Sequence, residues 1–211
     1  MRPIVVAVVP LASAVTNNIA TTQSPGTAGK LTLNGTLITG GVAILDKPRQ
    51  VLITTATAIS FIITGTDWAG SPISETVTNS GSSVASVLSY ATVRSITNSA
   101  AGTSITVGTN GVADSPWIRF DEYDFGPTSI QTTVSGTVNY TVFLTNDDPN
   151  SPTNPVNPNA MAWSSALSPM VGLSATAQAV LEAPFLWAKV TLNSGTGSIA
   201  STFVQFANAT L

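Results

Sequence analysis

Short runs of β-branched residues recur along this chain, and a turn signal closes each one after about 8–12 residues. Residues 51–55, 59–64, 73–78, 90–97 and 104–107 read as strands, with turns at 65–70, 79–82 and 98–102 between them. The second half repeats the grammar: 117–120, 130–135 and 138–145 are strand candidates. In the last of these Val138, Tyr140, Val142 and Leu144 share one face, as the period of two requires. Even spacing of short strands predicts an all-β chain of antiparallel β-sandwich units, jelly-roll or immunoglobulin-like.

The N-terminal 47 residues read differently. The opening run, with Arg2 before 4–9 and Ala12-Ser13-Ala14 after it, imitates a secretory signal but is short for one; the expectation is an uncleaved strand over 4–9. Residues 15–30 read as loop. Asn34-Gly35 lies between alternating runs at 31–33 and 36–39, which predicts a type I′ hairpin turn there. Residues 42–45 form a further strand candidate, and Asp46-Lys47-Pro48-Arg49 reads as a turn. Residues 146–159, with Pro149, Pro152, Pro155 and Pro158, are loop, because proline lacks the N–H a ladder needs. Leu173, Ala177, Val180 and Leu181 fall on one side of a short helix over 174–183. Residues 185–192 and 198–206 close the chain as a hairpin.

A faint repeat runs through the chain. Tyr90, Arg94, Asn98-Ser99 and Gly102 align without a gap on Phe185, Lys189, Asn193-Ser194 and Gly197, and 61–67 echoes 142–147 upstream. The division expected is 1–47 as an extended segment with a hairpin, 48–113 as a first β-sandwich unit and 114–211 as a second. Chance likeness of Ser/Thr/Gly-rich hairpins is the competing reading.

Chemistry is harder to place. The 211 residues contain no histidine and no cysteine, and 8% are charged, with net charge −3. Without His a Ser–His–Asp triad is impossible, and neutral-pH acid–base work loses its usual group. Soft-metal sites lose their ligands. Seven basic residues leave no footprint for nucleic acid or an acidic membrane, and no apolar run reaches the ~18 residues that span a bilayer. Hydrophobic residues at 43% suffice for a core.

Each remaining candidate competes with a structural reading. Asp121, Glu122, Tyr123 and Asp124, with Asp114 nearby, offer oxygen ligands to Ca²⁺, but a full loop needs about six ligands and a bend; the alternative is a solvated turn or a salt bridge to Arg94 or Arg119. Asp147-Asp148 is a second acidic pair. Glu75, Glu122 and Glu182 are the only glutamates, and nothing pairs them as a glycosidase needs. A Ser–Lys dyad would draw on Lys30, Lys47 or Lys189, which all sit at turn edges or strand ends. Trp68, Trp117, Trp163 and Trp187, with Tyr90, Tyr123 and Tyr140, could build a sugar-stacking platform; burial in a core or between subunits is favoured over it. Trp68 stands apart, at a turn tip beside glycine, where contact with a partner is expected. Gly195-Thr196-Gly197 is a turn and not a phosphate loop, since no helix or lysine follows. No catalytic, cofactor-binding or metal-binding residue is assigned.

Two stretches resemble a module of tailed-bacteriophage virion proteins. One runs from Pro48-Arg49-Gln50-Val51 through Phe61-Ile62-Ile63-Thr64-Gly65-Thr66-Asp67-Trp68 and Glu75-Thr76 to Ile105-Thr106-Val107-Gly108. The other runs from Val134-Ser135-Gly136-Thr137 and Tyr140 through Thr145-Asn146-Asp147-Asp148-Pro149 to the closing strands at Gln205. The resemblance implies a non-enzymatic β-sandwich component of the virion, assembled in the host cytoplasm. A head decoration or cement protein comes first, and a collar or tail part second. Implied partners are the major capsid protein or other virion proteins, and copies of the chain itself, with no cofactor, nucleic acid or membrane. A carbohydrate-binding adhesin module is the reading from another class, and a glycosidase the last. The first 45 residues lie outside the resemblance and are a candidate attachment segment that adds to a neighbour's sheet edge.

Overall fold

The computed structural model describes residues 4–8, 13–121, 127–165, 170–182 and 185–205. The chain is all-β and antiparallel, with one large and one smaller sheet, as in a β-sandwich. In chain order the strands are β1 (Ile4–Val8), β2 (Val15–Gln23), β3 (Gly29–Lys30), β4 (Ile38–Thr39), β5 (Val42–Thr54), β6 (Ser60–Thr66), β7 (Pro72–Thr78), β8 (Ser83–Asn98) and β9 (Ile105–Asp114). There follow β10 (Ile118–Arg119), β11 (Thr128–Ser135), β12 (Val138–Thr145), β13 (Ser164–Ser165), β14 (Ala177–Leu181), β15 (Trp187–Gly195) and β16 (Ser198–Gln205). A single 3₁₀ turn, Pro158–Ala160, is the only helical element among the described residues.

Contacts divide the chain into Ala12–Val112 and a unit made of Ala113–Leu211 with Met1–Leu11. The expected N-terminal segment 1–47 therefore does not stand apart. β1 pairs with β16, while β2, β3 and β4 pair with β9, β8 and β5. The expected boundary at 47/48 falls inside β5.

In the unit Ala12–Val112 the strand order is β9-β5-β8-β6-β7. β7 shows why these residues make strands: Ile73 and Val77 point inward while Ser74, Thr76 and Thr78 face water. β8 is long enough to serve two neighbours. Its first half pairs with β5 and its second with β6, and Arg94 is the extra residue of a bulge where the register to β6 shifts. Phe61, Ile63, Tyr90, Val93, Ile96, Ile105 and Val107 fill the core. Burying a side chain of this size contributes about 1.5–3 kcal/mol.

Three expectations fail in this unit. Within 15–30 only residues 24–28 are loop; 15–23 and 29–30 are strand, because side-chain amides complete a ladder that the sequence hides. Gln23 accepts from Thr32 N (3.0 Å) and donates to Thr32 O (2.9 Å), and Asn34 Oδ1 accepts from Thr21 N at 2.9 Å. Asn34-Gly35 is not the hairpin turn. Gly35 instead passes so close to the Asn18 backbone that no Cβ fits. The two-residue turn is Gly40-Gly41, both at positive φ, and it joins β4 to β5. Asp46-Lys47-Pro48-Arg49 does not turn the chain either. It bulges out of β5, with the four residues between Ile44 and Arg49 facing the single residue between Thr92 and Tyr90.

The other unit is a two-layer sandwich. One layer has the order β1-β16-β11-β14; in the other, β13, β12 and β15 follow one another, and β10 and the end of β9 pair with β15. Ile130, Ile199 and Phe203 from the first layer meet Val138, Tyr140, Val142, Val190 and Leu192 from the second. The expected closing hairpin is a correction: β15 and β16 lie in different layers. The links 135–138 and 195–198 are arches that cross between layers and stack, with Thr196 N and Gly197 N both donating to Thr137 O. Gly136 and Gly195 take positive φ to make the crossing. The expected helix at 174–183 is β14 instead, an edge strand on β11. Its true period is two, which leaves Val180 57% exposed while Leu181 is buried. Ala183 and Phe206 lie outside the described residues.

The repeat has a structural counterpart of limited depth. β7-β6-β8 and β13-β12-β15 share one strand order. The registers differ by three: Phe61 faces Asn98, whereas Val142 faces Val190, which aligns with Ser95.

Candidate interaction surface

β15 alternates between core and surface. Ala188, Val190 and Leu192 enter the sandwich, so Trp187, Lys189 and Thr191 point the other way. β10 and β12 flank it and deliver Arg119 and Phe143 to the same face. Trp117 precedes β10 and Trp163 precedes β13, which pairs with β12. Three of the four tryptophans converge here. The rings of Trp117 and Trp163 are 5.2 Å apart and tilted by 59°, and those of Trp117 and Trp187 meet edge-on at 6.4 Å.

Charges lock this aromatic layer. The Lys189 ammonium sits 4.9 Å above Trp163 and 5.7 Å above Phe143, and the Arg119 guanidinium lies 5.7 Å above Trp187. Lys189 donates to Asp114 Oδ2 at 2.9 Å, and Thr191 Oγ1 to Asp114 Oδ1 at 2.5 Å. Asp148 Oδ1 accepts from Trp187 Nε1 at 3.2 Å, and its Oδ2 lies 3.8 Å from Arg119. Asp147 turns away and accepts from Ala162 N at 2.6 Å, which fixes the chain entering Trp163. The result is a half-buried face of three indoles and Phe143, with two cations balanced by Asp114 and Asp148.

The other candidates do not join it. Trp68 is half-buried at its turn, where Asp67 Oδ1 accepts from Ala69 N and Ser71 N, both at 2.9 Å. Tyr90 and Tyr140 are fully buried, and their hydroxyls donate to Ile63 O (3.4 Å) and Ala175 O (3.2 Å). Burial pushes both phenols above their ordinary pKa. Glu75 accepts from Val87 N and Leu88 N at 2.8 and 2.9 Å and braces β8 where its register to β5 shifts between Ala85 and Ser89. Glu182 and Lys30 are exposed, and Lys47 lies in the β5 bulge. Gly195-Thr196-Gly197 belongs to an arch. Glu122, Tyr123 and Asp124 lie outside the described residues. Among the described residues, no three His, Cys, Asp or Glu side chains gather as a metal site would need.

Reasoning from the sequence does not find Phe143, Arg119 or Lys189 as members of an aromatic face. The available signal is alternation: Lys189 lies two residues beyond Trp187 on one strand.

No protein-family model, curated protein or solved structure matches this chain.

Proposed function

We propose that this chain is a non-enzymatic structural component of a tailed-bacteriophage virion, a decoration or cement protein of the head. The observation that carries the non-enzymatic part is the use made of the carboxylates. Asp67, Asp147 and Glu75 brace backbone amides, and Asp114 and Asp148 hold Lys189 and Trp187. Each of these five carboxylates thus has a structural role inside the chain that calls for no substrate. The place in a phage particle rests on the resemblance carried by 48–111 and 134–205, and an all-β build poor in charge suits a shell part. The partners are then the major capsid protein and further copies of this chain. A collar or tail position is the neighbouring alternative.

The test is reconstitution. Heads assembled without this chain are mixed with purified protein and sedimented. Saturable co-sedimentation that raises the temperature at which heads lose DNA supports decoration; protein left in the supernatant contradicts it. One observation favours a second reading, a carbohydrate-binding module: Trp117, Trp163 and Phe143 form a half-buried aromatic face beside Lys189. Glycan-array binding that Trp163→Ala removes would put that reading first.

A further inference from the structure

The terminal strand β1 pairs in a unit other than the one its chain enters next. Ile4–Val8 lies antiparallel to β16, from Ile4 opposite Phe203 to Val8 opposite Ile199. The chain then passes into Ala12–Val112, whose first strand begins at Val15. Six residues, with Pro10 among them, separate β1 from β2. Among the described residues β1 is the outer strand of its layer, and β16 is its sole ladder partner there. Nearly 200 positions lie between paired residues such as Ile4 and Phe203, so chain proximity does not tie the strand to its own β16. The main-chain bonds are identical whichever copy supplies it, so exchange between copies keeps the whole ladder. Left open, the edge of β16 would be a template for pairing with another chain.

We propose that β1 is an exchanged strand. In an oligomer of this chain, Ile4–Val8 of one copy pairs with β16 of the next, in the same register. The inference concerns the purified chain and holds or fails independently of any place in a virion.

The absence of cysteine from the chain allows a clean test. Ala7 faces Ala200 in the ladder, and cross-strand pairs lie within disulfide reach. Chains carrying only Ala7→Cys and chains carrying only Ala200→Cys are co-expressed with different tags and oxidised. Exchange predicts a covalent dimer holding both tags, seen on a non-reducing gel and mapped by mass spectrometry. It also predicts that the unmodified full chain scatters light at a multiple of its single-chain mass, and that removing residues 1–8 lowers this to one chain. The proposal is overturned if the unmodified chain runs as a single chain. It is equally overturned if an Ala7→Cys/Ala200→Cys double variant closes its disulfide wholly within single chains while the co-expressed single variants stay unlinked. The light-scattering arm uses the unmodified chain, so a misfolded variant leaves the proposal falsifiable.

Discussion

Asp114 accepts from Lys189 and Thr191 where all three side chains are largely shut from water. Removing it would strand an ammonium beside two aromatic rings. Asp114→Ala is expected to destabilise the chain by about 3 kcal/mol, the usual loss when one partner of a buried pair is deleted. Asp114→Asn keeps an acceptor for Thr191 and should lose less; urea unfolding of both variants checks the order. A second prediction concerns alkali. Burial raises the Tyr90 and Tyr140 phenols above 10.0 in the folded chain. The folded state therefore keeps these protons after the unfolded state has begun to release them. Stability is full below about pH 10 and falls as pH rises beyond it. Tyr90→Phe should flatten part of that fall while costing about 1 kcal/mol or less at neutral pH, since its bond to Ile63 O is long at 3.4 Å. The aromatic face itself was only partly legible at this scale. Trp117, Trp163 and Trp187 are far apart in sequence, and two separate strand pairings, β10 with β15 and β13 with β12, bring them together.

At the scale of elements, alternation carried the reading wherever one face is buried and the other wet. β6, β7 and β12 were legible for that reason. β2 was not, because Gln23 and Asn34 replace part of its ladder with side-chain bonds that leave no period. β14 fits a helix template as well as a strand one, because small residues at an edge satisfy both over so short a span. The closing arch at 195–198 resembles a hairpin in sequence for a further reason. Gly-Thr-Gly permits either path, and only pairing with non-adjacent strands decides it. A prediction belongs here. Gly195 sits at φ +110°, and a Cβ there would strike Thr137 O. Gly195→Ala should cost roughly 2–3 kcal/mol, from backbone strain with a clash added. Hydrogen exchange should rise in β11, β12, β15 and β16, while Gly111→Ala, where nothing lies within 4 Å, should leave exchange unchanged. Equal effects from the two substitutions would count against the arch.

For the whole molecule, two compact units in a chain with 8% charged residues describe a body built from backbone bonds and packed apolar strands. The all-β class followed from spacing and turn signals alone. The pairing of β1 with β16 did not, since five apolar residues can pair with any open edge. The central claim, a structural part of a phage head, is tested most directly by quantitative mass spectrometry of purified virions whose genome encodes this chain, counted against the major capsid protein. The account predicts a ratio on the order of one copy per capsid subunit, as a symmetric shell requires; absence from the particle would contradict it.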